Sequence, residues 1–533
     1  MRGKRLSIGL RTALVIFTVT LLVTSGWAAT NWNEKVLHSF NNNGTDGYEP
    51  YFFGSLIFDA AGNLYGTTYA GGIYGYGTAF ELSPAGGGSW TETVLYNFGN
   101  GTGDGRNPRA GLIFDAAGNL YGTSTTGGTS GDGTVFELTP TGGGGWTERV
   151  LYSFGNTPDG AIPVVGLIFD ATGNLYGATT EGGTHGDGTV FELTPTGGGG
   201  WTERVLYSFG NTPDGAYANA VLIFDAAGNL YGTTELGGAN GPYGTVFELT
   251  PTAGGGWTEK VLHSFANGTD GARPLASVIF DAAGNLYSTT SEGGTNRDGT
   301  VFELTPTAGG GWTETLLHSF NNNGTDGFLP NAGLIFDAAG NLYSTTYYGG
   351  AGGGCQPNGC GTVFELTPSA GGGWTETVLH SFNSTDGAIP VAGLIFDATG
   401  NLYGTTTEGG TLNAGTVFEL TPEVFPTSLD FGPQGLNPNT PQTVILTNVT
   451  DQPLSITSLM VTGTNNRDFL ESDNCPRSPN TLAPGDHCTI TVVFSPTETG
   501  TLTAAVTITD NAPDSPQVVP LTGIGVGGKV RLK

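Results

Sequence analysis

The chain has 533 residues, of which 46 are acidic and 17 basic, for a formal charge of −29. A surface of that sign repels phosphate backbones and anionic lipid, which argues against nucleic acid and acidic membranes as partners. Glycine is abundant, at 93 residues, and no stretch carries the 3.6-residue apolar period of a long helix. The expected fold is therefore all-β, with many tight turns.

Residues 1–29 read as an export signal. Arg2, Lys4, Arg5 and Arg11 form a basic start, Thr12 to Thr24 is apolar, and Gly26-Trp27-Ala28-Ala29 supplies small residues near a cleavage point. The apolar run is short for a bilayer, which takes about 20 residues, so an uncleaved anchor is the weaker alternative. Cleavage leaves 13 basic against 46 acidic side chains, a charge of −33, and no later segment reads as a membrane span.

Self-similarity governs residues 30–422. LIFDAAGNLYGTT-like segments place Asp59, Asp115, Asp170, Asp225, Asp281, Asp337 and Asp397 at spacings of 56, 55, 55, 56, 56 and 60. Each is followed by a GTVFELTP-like segment and a WTERVLYSF-like segment. Every repeat thus holds four strand-like runs, with Ala-Ala-Gly or Ala-Thr-Gly as the first hairpin turn. The mature chain opens on the fourth run alone, Trp32 to Phe40, and the seventh repeat stops after its third run, at Pro422. A ring uses that phase, because the two chain ends complete one unit and leave no open edge. The expected architecture is a seven-bladed β-propeller closed by the N-terminal strand.

The GNLYGTT, GTVFELTP and WTE-VL-SF units resemble the GloVer tandem repeats of exported bacterial proteins. That resemblance covers about residues 31–422 and implies a propeller-like body with no established reaction. Residues 423–533 lose the repeat and hold about seven short β-rich runs, which predicts an immunoglobulin-like sandwich. Asp468-Phe469, LAPGDHC, VVFSPTETG and PLTGIG resemble the choice-of-anchor D, or Hydin-like, domain, which implies a stalk or adhesion role. Cys355 with Cys360 and Cys475 with Cys488 form two local pairs, and an even count in an exported chain points to two disulfides.

No HExxH, GxSxG or Walker-type sequence occurs, and no catalytic residue or metal site is assigned. A catalytic site in a ring of near-identical units should break the repeat. His38, His263, His318 and His380 stand where Tyr96, Tyr152 and Tyr207 stand elsewhere, which reads as structural; His185 and Arg297 are scattered departures. The Glu of FELT is expected to face Lys35, Arg149, Arg204 or Lys260 on the neighbouring strand. Asp46, Asp104, Asp159, Asp214, Asp270, Asp326 and Asp386 precede glycine in the connecting loops. They read as ordinary turns; if they ring the channel mouth, they are the group that would take Ca²⁺, and no other cofactor is expected. Extra aromatics mark blade one (Tyr48, Tyr51, Phe52, Phe53, Tyr69, Tyr74, Tyr76) and blade six (Tyr347, Tyr348) as candidate ligand contacts. The chain is expected to be secreted, extracellular or periplasmic. The reading is a non-enzymatic binding protein with the propeller as head and the sandwich as spacer, taking a neutral glycan or an envelope protein. The alternatives are a propeller glycosidase or lyase acting on polysaccharide, and a structural envelope component.

Overall fold

The computed structural model describes residues 32–51, 54–155, 158–210, 213–369, 372–435, 441–450, 452–513 and 515–526. The expected signal, Phe52 and Phe53 lie outside them. No helix among the described residues is long and apolar enough to cross a membrane.

Each repeat forms one four-stranded antiparallel sheet, seven in all among the described residues. Sheet 1 holds Ile57–Phe58, Leu64–Thr68, Thr78–Ala85 and Ser89–Asn97 as its first to fourth strands, and sheets 2 to 6 repeat that order. Sheet 7 takes Ile395–Phe396, Leu402–Thr406 and Thr416–Pro422 from the last repeat, and its fourth strand is Trp32–Ser39 from the other end of the chain. The register there sets Trp32 against Pro422 and Lys35 against Glu419, as Trp146 faces Pro140 and Arg149 faces Glu137 in sheet 2. The phase of the repeat is realised in that pairing.

The second strands are buried along their whole length, so polar alternation is lost there and both faces are covered. Adjacent sheets provide the cover. A Phe at the end of each fourth strand packs on the third-strand Phe of the next sheet, from Phe98 on Phe136 to Phe382 on Phe418, with centroids 4.9–5.2 Å apart. Phe40 on Phe80 makes the same contact between sheet 7 and sheet 1. A second series sets the Tyr of each second strand edge-on against the first-strand Phe of the next sheet, and Tyr403 of sheet 7 meets Phe58 of sheet 1. A Cβ at Gly66 or Gly122 would fall 2.6–2.7 Å from the Phe80 or Phe136 ring, whereas Ser288 and Ser344 fill the equivalent position in sheets 5 and 6.

Polar groups of the repeat are largely consumed locally. Asp59 Oδ1 accepts the N–H groups of Ala61 and Asn63, and its Oδ2 accepts from Asn63 and the Tyr65 hydroxyl. Those bonds hold the Asp59 carboxyl below its usual range against the opposing push of burial. As the sequence leads one to expect, Lys35, Arg149, Arg204 and Lys260 lie 3.5–3.9 Å from Glu419, Glu137, Glu192 and Glu248. Both cysteine pairs are disulfide-bonded.

Residues beyond Pro422 form two further four-stranded sheets around one apolar core that includes Val444, Leu446, Ile490, Val492, Phe494 and Val506. Phe425 packs on Phe396 at 5.3 Å, and Thr427 donates to Glu365 Oε1 at 2.9 Å. The segment entering this unit therefore covers sheets 6 and 7, and Tyr343 beneath it is fully buried.

The Asp-Gly carboxylates stand between adjacent fourth strands, and none lines the cavity of about 290 Å³ described below. Tyr96, Tyr152 and Tyr207 donate hydroxyl hydrogen bonds to Asp104, Asp159 and Asp214 at 2.9–3.1 Å. A Glu from the next sheet's WTE segment faces each Asp. Burial, and then the charge of that Asp, pushes Glu148 up to about 8 and Glu203 and Glu259 up to about 7.

Two outcomes are expected. Deleting residues 30–40 removes a full ladder together with buried Leu37 and Phe40, and should cost on the order of 5 kcal/mol in denaturant unfolding. Deleting residues 429–533, which keeps Phe425 and Thr427, should leave the repeat sheets' melting nearly unchanged; equal losses would contradict this packing. The second outcome concerns pH. Carboxyls raised in the fold stabilise it below their ordinary value of 4.5, and that contribution disappears as pH rises through 7–8. In chelator-containing buffer the melting temperature should fall between pH 5 and pH 9. The variant Glu148→Gln/Glu203→Gln/Glu259→Gln should show a visibly shallower fall.

Candidate functional site

One backbone position repeats in every loop that leads into a first strand. Glu49, Asn107, Ile162, Tyr217, Arg273, Leu329 and Ile389 all have φ of 56–60°, in the left-handed region. Such a conformation costs a non-glycine residue on the order of 1–3 kcal/mol and persists only where its surroundings enforce it. Here the enforcement comes from two sides. The N–H of Asn107 donates to Tyr76 O of the preceding sheet, and its carbonyl accepts from Thr125 N–H of its own sheet. Glu49 does the same with Ala414 O of the last repeat and Tyr69 N–H of the first. The residue is a backbone clamp between neighbouring sheets.

Two residues after each clamp stand Tyr51, Arg109, Val164, Asn219, Leu275, Asn331 and Val391. Leu275 and Asn331 reach a cavity of about 290 Å³ that receives residues from all seven sheets, among them Ile57, Leu112, Leu167, Val221, Leu334 and Leu394. The walls are mostly apolar, and the positions beside the clamps carry variable side chains.

There the repeat breaks. The rings of Tyr51 and Tyr69 lie 5.2 Å apart, and the Arg109 guanidinium sits over both, 4.7 and 4.9 Å from their centroids. Arg109 forms no ion pair among the described residues, and its buried Nε has no hydrogen-bond partner. Glu49 is raised by burial and by the charge of Glu408. Tyr347 is pushed up to about 12 by burial first, then by Tyr348, with Tyr51 and Glu408 also acting on it. Side chains of the first, second, sixth and seventh repeats therefore share one electrostatic neighbourhood. In the fourth and fifth repeats, Arg273 pairs with Glu235 and Glu292, and Asn219 donates to Glu235 at 2.6 Å. Arg273 is thus compensated, whereas Arg109 is held by tyrosine faces.

The aromatics singled out in the sequence divide among three places. Tyr51, Tyr69 and Tyr347 belong to the group around Arg109. Tyr74 and Tyr76 are exposed at the boundary of sheets 1 and 2; Tyr76 stacks under Arg106 at 4.4 Å beside a cavity of about 500 Å³. Tyr48 packs against the core shared by sheets 7 and 1, and Tyr348 packs against Phe328 and Tyr347. Phe52 lies outside the described residues. Arg106, Arg109, Glu49 and Glu408 were missed in the sequence. Aligning the loops on the clamp position reveals Arg109 at once, because Tyr, Val, Asn and Leu occupy the equivalent sites.

The family description Gloeobacter/Verrucomicrobia repeat matches residues 15–241, 144–354 and 219–465, and Cep192 domain 4 matches residues 424–526. No curated protein matches the chain. Among solved structures it is similar to PorZ, a surface component of the type-IX secretion system of Porphyromonas gingivalis. That similarity is at 17% identity over 87% of this chain, with a TM-score of 0.34, and covers 64% of PorZ, under two thirds of its length. It is also similar to a PL25 ulvan lyase, at 12% identity over 72% of this chain and 95% of the lyase, with a TM-score of 0.46. A fructofuranosidase from Schwanniomyces occidentalis is similar at 8% identity over 93% and 92% of the two chains, with a TM-score of 0.28. None of these likenesses reaches a TM-score of 0.5, and no function passes to this chain through them. The repeat matches together run from residue 15 to residue 465, most of the sequence, and the chain belongs to the Gloeobacter/Verrucomicrobia repeat family.

Proposed function

We propose that the seven sheets are blades of a closed propeller spanning residues 30–422, and that its cavity face binds a neutral glycan without cleaving it. Residues 423–533 then act as an immunoglobulin-like spacer of the choice-of-anchor D kind. Export of the chain fits its two disulfides, which form and persist in oxidising compartments. The observation that carries the glycan reading is the group of Tyr51, Tyr69 and Arg109. Two tyrosine rings present flat apolar faces at little entropic cost, and a guanidinium offers donors for sugar hydroxyls. Tyr347 and Glu408 add a polar edge to the same neighbourhood. The strongly acidic chain disfavours sulfated and uronic polymers. Non-catalytic binding is the simpler assignment, because Arg109 is engaged by aromatic faces and the other mouth arginine is paired with carboxylates.

On a glycan array, the mature protein should retain neutral oligosaccharides with dissociation constants in the micromolar to millimolar range, as a small, open site implies. Tyr51→Ala/Tyr69→Ala should weaken that retention at least tenfold with little change in melting temperature. Tyr74→Ala/Tyr76→Ala should leave it intact. Loss through the second pair alone would move the site to the boundary of sheets 1 and 2, and release of reducing ends by the wild type would replace binding with hydrolysis.

A further inference from the structure

The histidines that alternate with tyrosine in the fourth strands do not reproduce what tyrosine does. In three junctions the Tyr hydroxyl donates to the Asp-Gly carboxylate at 2.9–3.1 Å. In the other four, Nε2 of His38, His263, His318 and His380 stops 3.3–3.7 Å from Oδ2 of Asp46, Asp270, Asp326 and Asp386. All four Nε2 atoms are buried and have no hydrogen-bond partner. The facing Glu of the next sheet, Glu92, Glu314, Glu376 or Glu34, likewise brings a buried Oε1 without a partner. Asp46 is only 6% exposed, and its Oδ1 is also unpartnered.

Each of these junctions therefore sets an imidazole nitrogen and a carboxylate, from one fourth strand and the loop after it, near a second carboxylate from the next sheet. In one of them, Glu34, His380 and Asp386, the three ligand atoms all lie within 4.8 Å of one another. Tetrahedral ligands at about 2.0–2.2 Å from a common ion stand about 3.3–3.6 Å apart, so side-chain movements of about 1 Å separate this arrangement from coordination. The oxygen-only reading of the Asp-Gly loops pointed to Ca²⁺. An imidazole in the set shifts the preference to a borderline cation such as Zn²⁺, with water completing four-coordination. The two positive charges would also offset two carboxylates that otherwise crowd each other in a partly buried gap.

We propose that the Glu34–His380–Asp386 junction binds Zn²⁺, and that the three tyrosine-bearing junctions do not. Because Glu34 comes from the N-terminal strand and His380 and Asp386 from the sixth and seventh repeats, an ion there ties the two ends of the repeat array together.

The tyrosine junctions supply a substitution that the fold already accommodates. Tag-free, chelator-stripped full-length protein would be dialysed at pH 7.5 against micromolar Zn²⁺ and the bound metal counted by elemental analysis. About one ion per chain is expected, with a rise in melting temperature on loading. His380→Tyr should bind none, and in chelator it should melt like the metal-free wild type. Absence of bound Zn²⁺, or an unchanged count in His380→Tyr, would overturn the proposal. The latter result would assign the metal to adventitious ligands such as the exposed His185 and His487.

Discussion

The contact on which everything else depends is the stacking of one sheet's aromatics on the next. A four-stranded sheet of this length buries too little apolar surface to stand alone, and its second strand has no solvent-facing side. Phe98 on Phe136, and its six equivalents, place a fully buried ring at each boundary. Burial of a Phe contributes about 1.5–3 kcal/mol, and an edge-on aromatic pair about 0.5–1.5 kcal/mol more. Since Phe40 of the N-terminal strand makes the same contact with Phe80, the first sheet does not end in an uncovered face at that point. The Tyr–Phe series adds a second ring contact at every boundary, and the tyrosines also carry the hydroxyls that tie the first hairpin to the third strand.

That packing makes the backbone clamps affordable. A β-branched residue such as Ile162 or Ile389 disfavours positive φ, yet both adopt it because a neighbouring sheet supplies a carbonyl at a set position. Ile389 bonds to the carbonyl of Cys360, so the disulfide loop of the sixth repeat positions the clamp of the seventh. With the backbone held at seven equivalent points, side chains next to the clamp can vary without disturbing the sheets. Tyr51, Arg109, Asn219 and Asn331 are the result.

The all-β repeat and its strand pairing were legible because the repeat is long and its phase is informative. The lone WNEKVLHSF at the start of the mature chain predicts the pairing with Thr416–Pro422, and the cross-strand Lys35–Glu419 contact follows from the same alignment. The site was only partly legible. Treating extra aromatics as one patch merged Tyr51, at the Arg109 group, with Tyr48, which faces the core, because strand alternation inside a two-residue strand cannot be read from sequence. Arg109 was passed over because it breaks the pattern singly, and its two tyrosine partners are 58 and 40 residues away in the chain. The WTE glutamates escaped notice for the opposite reason. Seven identical copies look structural, and nothing local shows that each faces a carboxylate on a different repeat.

Repetition and function are therefore separated by position within the unit. Groups near the fourth strand recur sevenfold and differ mainly by the Tyr–His exchange and by Lys, Arg or Thr opposite the FELT Glu, so chemistry there is repeated around the array and concerns holding neighbours together. Groups beside the clamps are nearly all different, and a ligand contacting several of them meets an asymmetric surface. The acidic loading supports this division. Most of the repeated carboxylates are satisfied by Asx-type turns, cross-strand cations or facing hydroxyls, and so are committed to the scaffold. Glu49 and Glu408 lie outside those repeated roles, and they share the neighbourhood of Tyr347 and Tyr51. A scaffold whose hairpin carboxylates are committed in this way leaves recognition to the few positions where the repeat fails, and two of those positions, Leu275 and Asn331, line the cavity that receives residues from all seven sheets.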